Sequence, residues 1–437
     1  MRGANERQPA FRPRIPFSPS QRERNEARVN TVEKPIWRSL DTGMILGAKM
    51  QEPFRLYSTE IDRDPFPSYK NLRDDHPCYW SEDAQTWILT RYNDVQAAAM
   101  DWETFSSSAG NLVDEIPGRA GGTLGSIDPP RHDRLRGLAQ AAFAKKNLEH
   151  LAAPAARSAA RAVEAIKSRE NFDFVSEVSS VVTVETLFAM LGLAPRDPAD
   201  VRAQVVLSIS CEKAKKGRND AQNAAFAGLT KYIAEEVGKR RKNPSDDLIT
   251  RLAEAEIDGD KLSDREVILT TSMFVVAGVE SLSSFMSMLA YNLATHPEAR
   301  QRVADDLALL PQAIEESLRF NTSAQRFKRV LMRDTELHGQ VMKAGDKVIL
   351  AYGAANRDER KFPDPETYDI DRNPRNHLGF GAGKHFCIGN ALARLITQTT
   401  MTAFMAEVPD FSLLNDSFDW VPSSNFRSPV VLPLQRG

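Results

Sequence analysis

The stretch Phe380-Gly381-Ala382-Gly383-Lys384-His385-Phe386-Cys387-Ile388-Gly389 decides how the rest of this 437-residue chain is read. Glycines on both sides of Cys387 let the backbone turn tightly and approach a flat ligand with no Cβ in the way. The cysteine is expected to open an amphipathic helix from Ile388 to Met405. A helix N-terminus presents unpaired N–H groups and positive dipole charge, which favour a thiolate over a thiol. An anionic sulfur so placed is a soft ligand for iron, and thiolate ligation pushes electron density toward oxygen to favour O–O cleavage. A lone cysteine is otherwise a small buried hydrophobe. Cys78 and Cys211, without such surroundings, are read that way.

The same run matches the pattern F-x-x-G-x-[HR]-x-C-x-G, and through it the chain resembles the cytochrome P450 family, in its soluble bacterial type. The resemblance extends from about Pro53 to the C-terminus. It implies a mainly α fold with minor β sheets in a single triangular-prism-like domain. It also implies haem b (iron protoporphyrin IX), with Cys387 as axial thiolate and metal ligand and with Phe380, Ala277 and Gly389 beside the macrocycle.

Other segments fit that frame. Glu316-Ser317-Leu318-Arg319 has the form E-x-x-R, and helical spacing of three puts both charges on one face. The resemblance adds Arg372 as a third member of a buried ion network that holds the cysteine loop. The helix predicted over Asp264–Thr295 opens with a capping box, Ser263-x-x-Glu266, and stops before His296-Pro297. At its centre lies Ala277-Gly278-Val279-Glu280-Ser281, where a mid-helix glycine costs about 1 kcal/mol relative to alanine and calls for a reason. The resemblance supplies one: Gly278 makes room for oxygen, and Glu280 with Ser281 delivers protons. The family's commoner pair is Asp-Thr, and serine lacks the methyl group that restricts threonine rotamers. Haem propionates call for cationic partners. The resemblance points to His132 and Arg136, which share a helix face at i, i+4, together with Arg329 and His385.

Bulk composition adds bounds. Apolar residues make up 41% and charged residues 27%, as in an ordinary globular protein, and the formal net charge of -2 gives no signal for nucleic acid or a membrane surface. Three separated cysteines, with no C-x-x-C pair, imply neither a disulfide framework nor a zinc cluster, so a reducing, cytoplasmic setting is expected. The most apolar segment, Val267 to Leu293, is interrupted by Glu280 and several serines and threonines, so no membrane span is expected. Residues 1–50 are read as a disordered extension ahead of a domain at 51–437; the first thirty are Arg-rich and carry four prolines. Helical periodicity is expected over 134–144, 148–168, 175–191, 219–242, 264–295 and 297–309, with strands at 78–80, 86–89, 327–332 and 348–350.

The substrate pocket implied by the resemblance draws on Phe105, Leu112, Val113, Met273, Phe274, Ser323, Ala324 and Phe426. Most are apolar, so a compact hydrophobic or aromatic substrate is expected. The expected activity is insertion of one oxygen atom from O2, by hydroxylation or O-demethylation, in a monomer. No flavin or iron–sulfur domain is visible, so a ferredoxin and its reductase are the implied electron donors. Arg131, Arg134 and Lys384 form a candidate docking patch for an acidic ferredoxin. Rival readings are a peroxide-using or rearranging haem-thiolate enzyme and a non-catalytic haem sensor. The Glu280-Ser281 pair argues against the first, and the absence of an output domain against the second.

Overall fold

Cys78-Tyr79-Trp80-Ser81 and Thr86-Trp87-Ile88-Leu89 form the expected hairpin, β1 (Cys78–Ser81) pairing antiparallel with β2 (Thr86–Leu89). Three further strands complete one sheet: β3 (Phe105–Ser106), β4 (Arg326–Leu331) and β5 (Lys347–Ala351), in the order β1-β2-β5-β4-β3. β5 runs parallel to β2 and the other pairs are antiparallel. Side chains alternate between faces along a strand, so Phe327 and Arg329 of β4 reach the cavity described below. This computed structural model describes residues 54–142, 151–257 and 259–437, which belong to one compact unit, Glu52–Gly437. The expectations for residues 1–50 lie outside the described residues.

Helices supply most of the core, as the mainly α reading required. Those that frame the site are α1 (Arg131–Ala142), α2 (Ser180–Leu191), α3 (Pro198–Ile209), α4 (Asp220–Lys242), α5 (Asp264–Thr295), α6 (Leu310–Phe320) and α7 (Asn390–Glu407). α5 has both halves of its capping box: Ser263 Oγ accepts from the Glu266 N–H at 3.3 Å, and the Glu266 carboxylate accepts from the Ser263 N–H at 3.0 Å. It is long and apolar enough to cross a bilayer, yet 78% of its most apolar window is buried inside the protein. Helices α2, α3 and α4 pack against it.

Several boundaries differ from expectation for identifiable reasons. The segment 175–191 is a π-helical turn, Val175–Ser179, leading into α2. The segment 297–309 breaks at Asp306, whose carboxylate caps a short 3-10 turn. Among the helices that escaped the periodicity reading are α3 and Leu248–Glu254, each opened by an aspartate that caps its first turn. Helix α7 starts at Asn390, not at Ile388, because Ile388 and Gly389 form a turn and Gly389 is the N-cap.

Candidate active site

The cysteine loop is folded by its own backbone and clamped from three sides. Gly381 and Gly383 have φ of +72° and +66°, which L side chains rarely adopt. A Cβ at Gly383 would also lie 2.4 Å from the Ala99 carbonyl, so that position admits no other residue without movement. The Cys387 N–H donates to the Phe380 carbonyl at 2.9 Å, and the Asn390 amide donates to the Cys387 carbonyl at 2.8 Å. Arg136 of α1 donates to the Lys384 and Phe386 carbonyls at 3.2 and 2.8 Å. Glu315 of α6 takes Arg394 Nε of α7 at 2.6 Å and His377 Nε2 at 3.0 Å, while the Arg394 guanidinium lies over the Phe380 ring at 4.6 Å. Sequence reasoning missed this Glu315–Arg394–His377 clamp; its only local signal was a second acid directly before Glu316.

Behind the loop, Glu316 and Arg319 are fully buried and paired at 2.6 Å, and Arg372 reaches the same carboxylate at 3.1 Å. The remaining Arg319 donors meet the Asn356 and Pro365 carbonyls at 3.0 and 2.9 Å. The three charges thus share one network, with every guanidinium used.

Cys387 opens onto a cavity of about 310 Å³ between α5, the loop before α1 and β4. Burial pushes its thiol up, against the pull of the Gly389 N–H, Arg136 and Arg394. The helix expected to open at the cysteine begins three residues later, at Asn390. Ala277, Gly278 and Ser281 of α5 face the same cavity, and Ser281 Oγ donates to the Ala277 carbonyl one turn back. A Cβ at Gly278 would lie 2.8 Å from Leu187 Cδ1, so the glycine also serves the packing of α2 on α5. Glu280 points elsewhere. It is fully buried outside the cavity lining, with Arg202 Nε of α3 at 3.6 Å. Burial pushes its carboxyl up, tempered by Arg202 and the Ser428 hydroxyl.

The four expected propionate partners cluster. His132 and His385 meet edge to face with ring centroids 4.7 Å apart. Both Nε2 atoms are buried without a hydrogen-bond partner. Burial holds the His385 imidazole down to about 4, with Asp128 opposing and Arg329 assisting. Burial also lowers His132, against the Asp133 carboxylate. Arg136, Arg329 and His385 line the cavity. Two unpartnered imidazole nitrogens beside two guanidiniums make a polar cluster suited to two carboxylates, with His132 donating from Nε2 only when protonated because its Nδ1–H is held by Asp133 at 3.0 Å. A Cβ at Gly389 would meet nothing within 4 Å, which leaves the space above the turn free for a flat group. The residues present therefore fit a haem.

Of the predicted substrate contacts, Leu112, Met273, Phe274, Ser323, Ala324 and Phe426 line the cavity. Phe105 and Val113 do not. Phe105 is paired with Leu331 across β3 and β4 and is buried in the cluster containing Leu89, Tyr92 and Tyr352. Val113, next to Leu112, faces the opposite way and packs with Phe54, Tyr57 and Tyr69. The cavity takes further apolar walls from Ile116 of the loop before α1, Leu187 and Met190 of α2, Ile209 of α3, Phe226 of α4 and Phe285 of α5. The predicted docking patch is charge-compensated: Arg131 and Arg134 face Glu266 at 3.7 and 3.1 Å, and Lys384 pairs with Asp133 at 2.7 Å.

Comparison with known proteins agrees with this arrangement. The family profile described as Cytochrome P450 matches residues 184–432. Mycinamicin IV hydroxylase/epoxidase of Micromonospora griseorubida is 32% identical over 360 residues, covering 80% of this chain and 89% of its own. Steroid C26-monooxygenase of Mycolicibacterium smegmatis is 30% identical over 375 residues, covering 84% of this chain and 91% of its own. The crystal structure of CYP109E1 from Bacillus megaterium in complex with testosterone superposes with a TM-score of 0.75 at 28% identity, covering 86% of this chain and 99% of that one. The profile match spans the central helix, the buried ion network and the cysteine loop, and the chain belongs to the cytochrome P450 family as one of its bacterial-type monooxygenases.

Proposed function

We propose that the chain inserts one oxygen atom from O2 into a compact, mainly apolar substrate, by hydroxylation or O-demethylation, with electrons from a ferredoxin and its reductase. One observation carries the reading: a largely apolar cavity has Cys387 in one wall and Ser281 in another. A relative named as a steroid C26-monooxygenase is in keeping with an apolar occupant.

The haem, held by Cys387 and steadied through its propionates by His132, Arg136, Arg329 and His385, supplies the oxygen-activating chemistry when bound. Phe380, Ala277 and Gly389 would border it. The chain's own work is to orient, to exclude water and to handle protons. Ser281 Oγ holds a proton at the cavity wall, donating it to the Ala277 carbonyl until a better acceptor arrives. Glu280, whose carboxyl burial pushes up, lies behind the cavity wall with Arg202 3.6 Å away and is the acid assigned here to proton supply. The apolar walls from Met273, Phe274, Leu112 and Phe426 select shape and keep bulk water away. Retention of an acid–alcohol pair favours monooxygenation over peroxide use or rearrangement.

The reduced, carbon monoxide-treated protein is expected to show the red-shifted band of a thiolate-ligated haem, and Cys387→Ala to lack it. A wild-type protein without that band would overturn the reading. Turnover with a ferredoxin and reductase, compared with peroxide alone, then separates the two enzymatic alternatives.

A further inference from the structure

Apart from the cationic cluster by the cysteine loop and Ser281, the cavity has a polar group on the loop between β3 and α1. Arg119 is buried there, and its guanidinium is committed: Nε and Nη2 donate to the two Glu115 carboxylate oxygens at 2.7 and 3.0 Å, and Nη1 donates to Thr123 Oγ1 at 3.2 Å. Nη2 also donates to Asn111 Oδ1. A guanidinium can only donate, so the Asn111 amide must turn its oxygen toward Arg119 and its nitrogen away. The main chain fixes the residue as well, because the Asn111 carbonyl accepts from the Lys328 N–H of β4 at 2.9 Å, and the Leu112 N–H donates to Glu115 at 3.1 Å. The amide nitrogen has no acceptor among the described residues. It faces Gly125, where a Cβ would lie 3.1 Å away, and both residues line the cavity.

We propose that Asn111 Nδ2 is the donor that orients the substrate, taking a neutral acceptor oxygen (a ketone, ester carbonyl or hydroxyl) on an otherwise apolar skeleton, with Arg119 and Glu115 as the residues that position it. This rests on the cavity being the substrate chamber of the proposed monooxygenase. A fixed donor in an apolar wall is a strong discriminator, because a ligand without an acceptor leaves it unpaired. A carboxylate is the wrong partner: Arg119 is already neutralised, and Glu115 would stand beside the incoming negative charge. The oxygen is thereby held at one wall, and the end of the skeleton presented for oxidation is set by its distance from that atom.

The test uses haem-loaded wild type, Asn111→Leu and Asn111→Asp, each first checked for the carbon monoxide band. Each is titrated with three matched pairs of a ketone and its parent hydrocarbon: 2-decalone and decalin, fluorenone and fluorene, androstenedione and androstane. The readout is the dissociation constant from the spin-state change or from calorimetry. Wild type should bind the ketone of at least one pair about tenfold tighter than the hydrocarbon. Asn111→Leu should lose that preference while keeping its hydrocarbon affinity. Asn111→Asp, which replaces the donor by an acceptor, should lose it too. A wild type with no ketone preference in any pair, or a preference that survives in either variant, would overturn the proposal. The carbon monoxide band reports separately on the monooxygenase reading itself.

Discussion

Two buried glutamates, Glu316 and Glu280, have opposite surroundings. Glu316 sits between Arg319 and Arg372, pairs with Arg319 at 2.6 Å and accepts a further bond from the Asp369 N–H at 3.1 Å. Glu280 is equally buried, but neither of its oxygens has a well-formed hydrogen bond, and its nearest cation stands 3.6 Å away. A buried charge that is fully paired is a brace, whereas one that is poorly paired readily holds a proton. The two acids therefore separate a fully paired ionic brace from a buried carboxyl whose proton is favoured by burial.

The largest effect should come from breaking the brace. Glu316→Ala leaves Arg319 buried without its partner, a change that costs on the order of 3–5 kcal/mol. Thermal unfolding should show a large fall in Tm and poor retention of haem. A variant with near-normal Tm would show that the network is dispensable.

Glu280→Gln should leave the fold intact while product formation falls on the order of 10²-fold, measured at saturating electron donor. Its stability effect should depend on pH, and the sign follows from the raised carboxyl. The folded state holds a proton that the unfolded chain releases above the ordinary value of 4.5, so wild type loses stability as pH rises toward the folded value. The Tm of Glu280→Gln relative to wild type should therefore climb with pH across that window. A constant difference would indicate that Glu280 is held ionised by Arg202.

Ser281→Ala comes next. It removes one hydroxyl at the cavity wall and should keep the carbon monoxide band while lowering product formed per O2 consumed several-fold. Unchanged coupling would reject the relay assigned to Ser281.

The smallest effect on turnover belongs to the outer clamp, which acts on stability instead. Burial opposes the ionised form of Glu315, but hydrogen bonds from Arg394 and His377 hold its carboxyl down to about 2. Its stabilisation is present above the unfolded value near 4.5 and is lost as pH falls through about 2. Glu315→Gln should match wild type's pH profile below that window and be less stable above it, as read by unfolding at stepped pH.

How far the site was readable tracks how local its geometry is. The cysteine loop is contiguous, and the pairing of Glu316 with Arg319 follows from helical spacing alone. Arg372 lies 56 residues from Glu316 and was reachable only through the family resemblance. Glu280 and Ser281 look like one unit in the sequence, yet successive residues on a helix point about 100° apart. Ser281 therefore meets the cavity while Glu280 is driven into the contact with α3, a helix that the periodicity reading did not anticipate. In the loop before α1, the neighbours Leu112 and Val113 likewise meet different surroundings. Asn111 escaped notice because its meaning depends on Arg119, eight residues along a loop without periodicity.

By itself, the sequence determined the family, the cysteine loop, the central helix with its cap and the pairing of Glu316 with Arg319. All of these rest on short-range spacing or on backbone conformations that only glycine tolerates. Tertiary structure alone decided the direction of Glu280, the exclusion of Phe105 and Val113 from the cavity, the neutralisation of Arg131, Arg134 and Lys384, and the orientation of the Asn111 amide. Each of these depends on which distant surface a side chain meets, and short-range periodicity does not specify that.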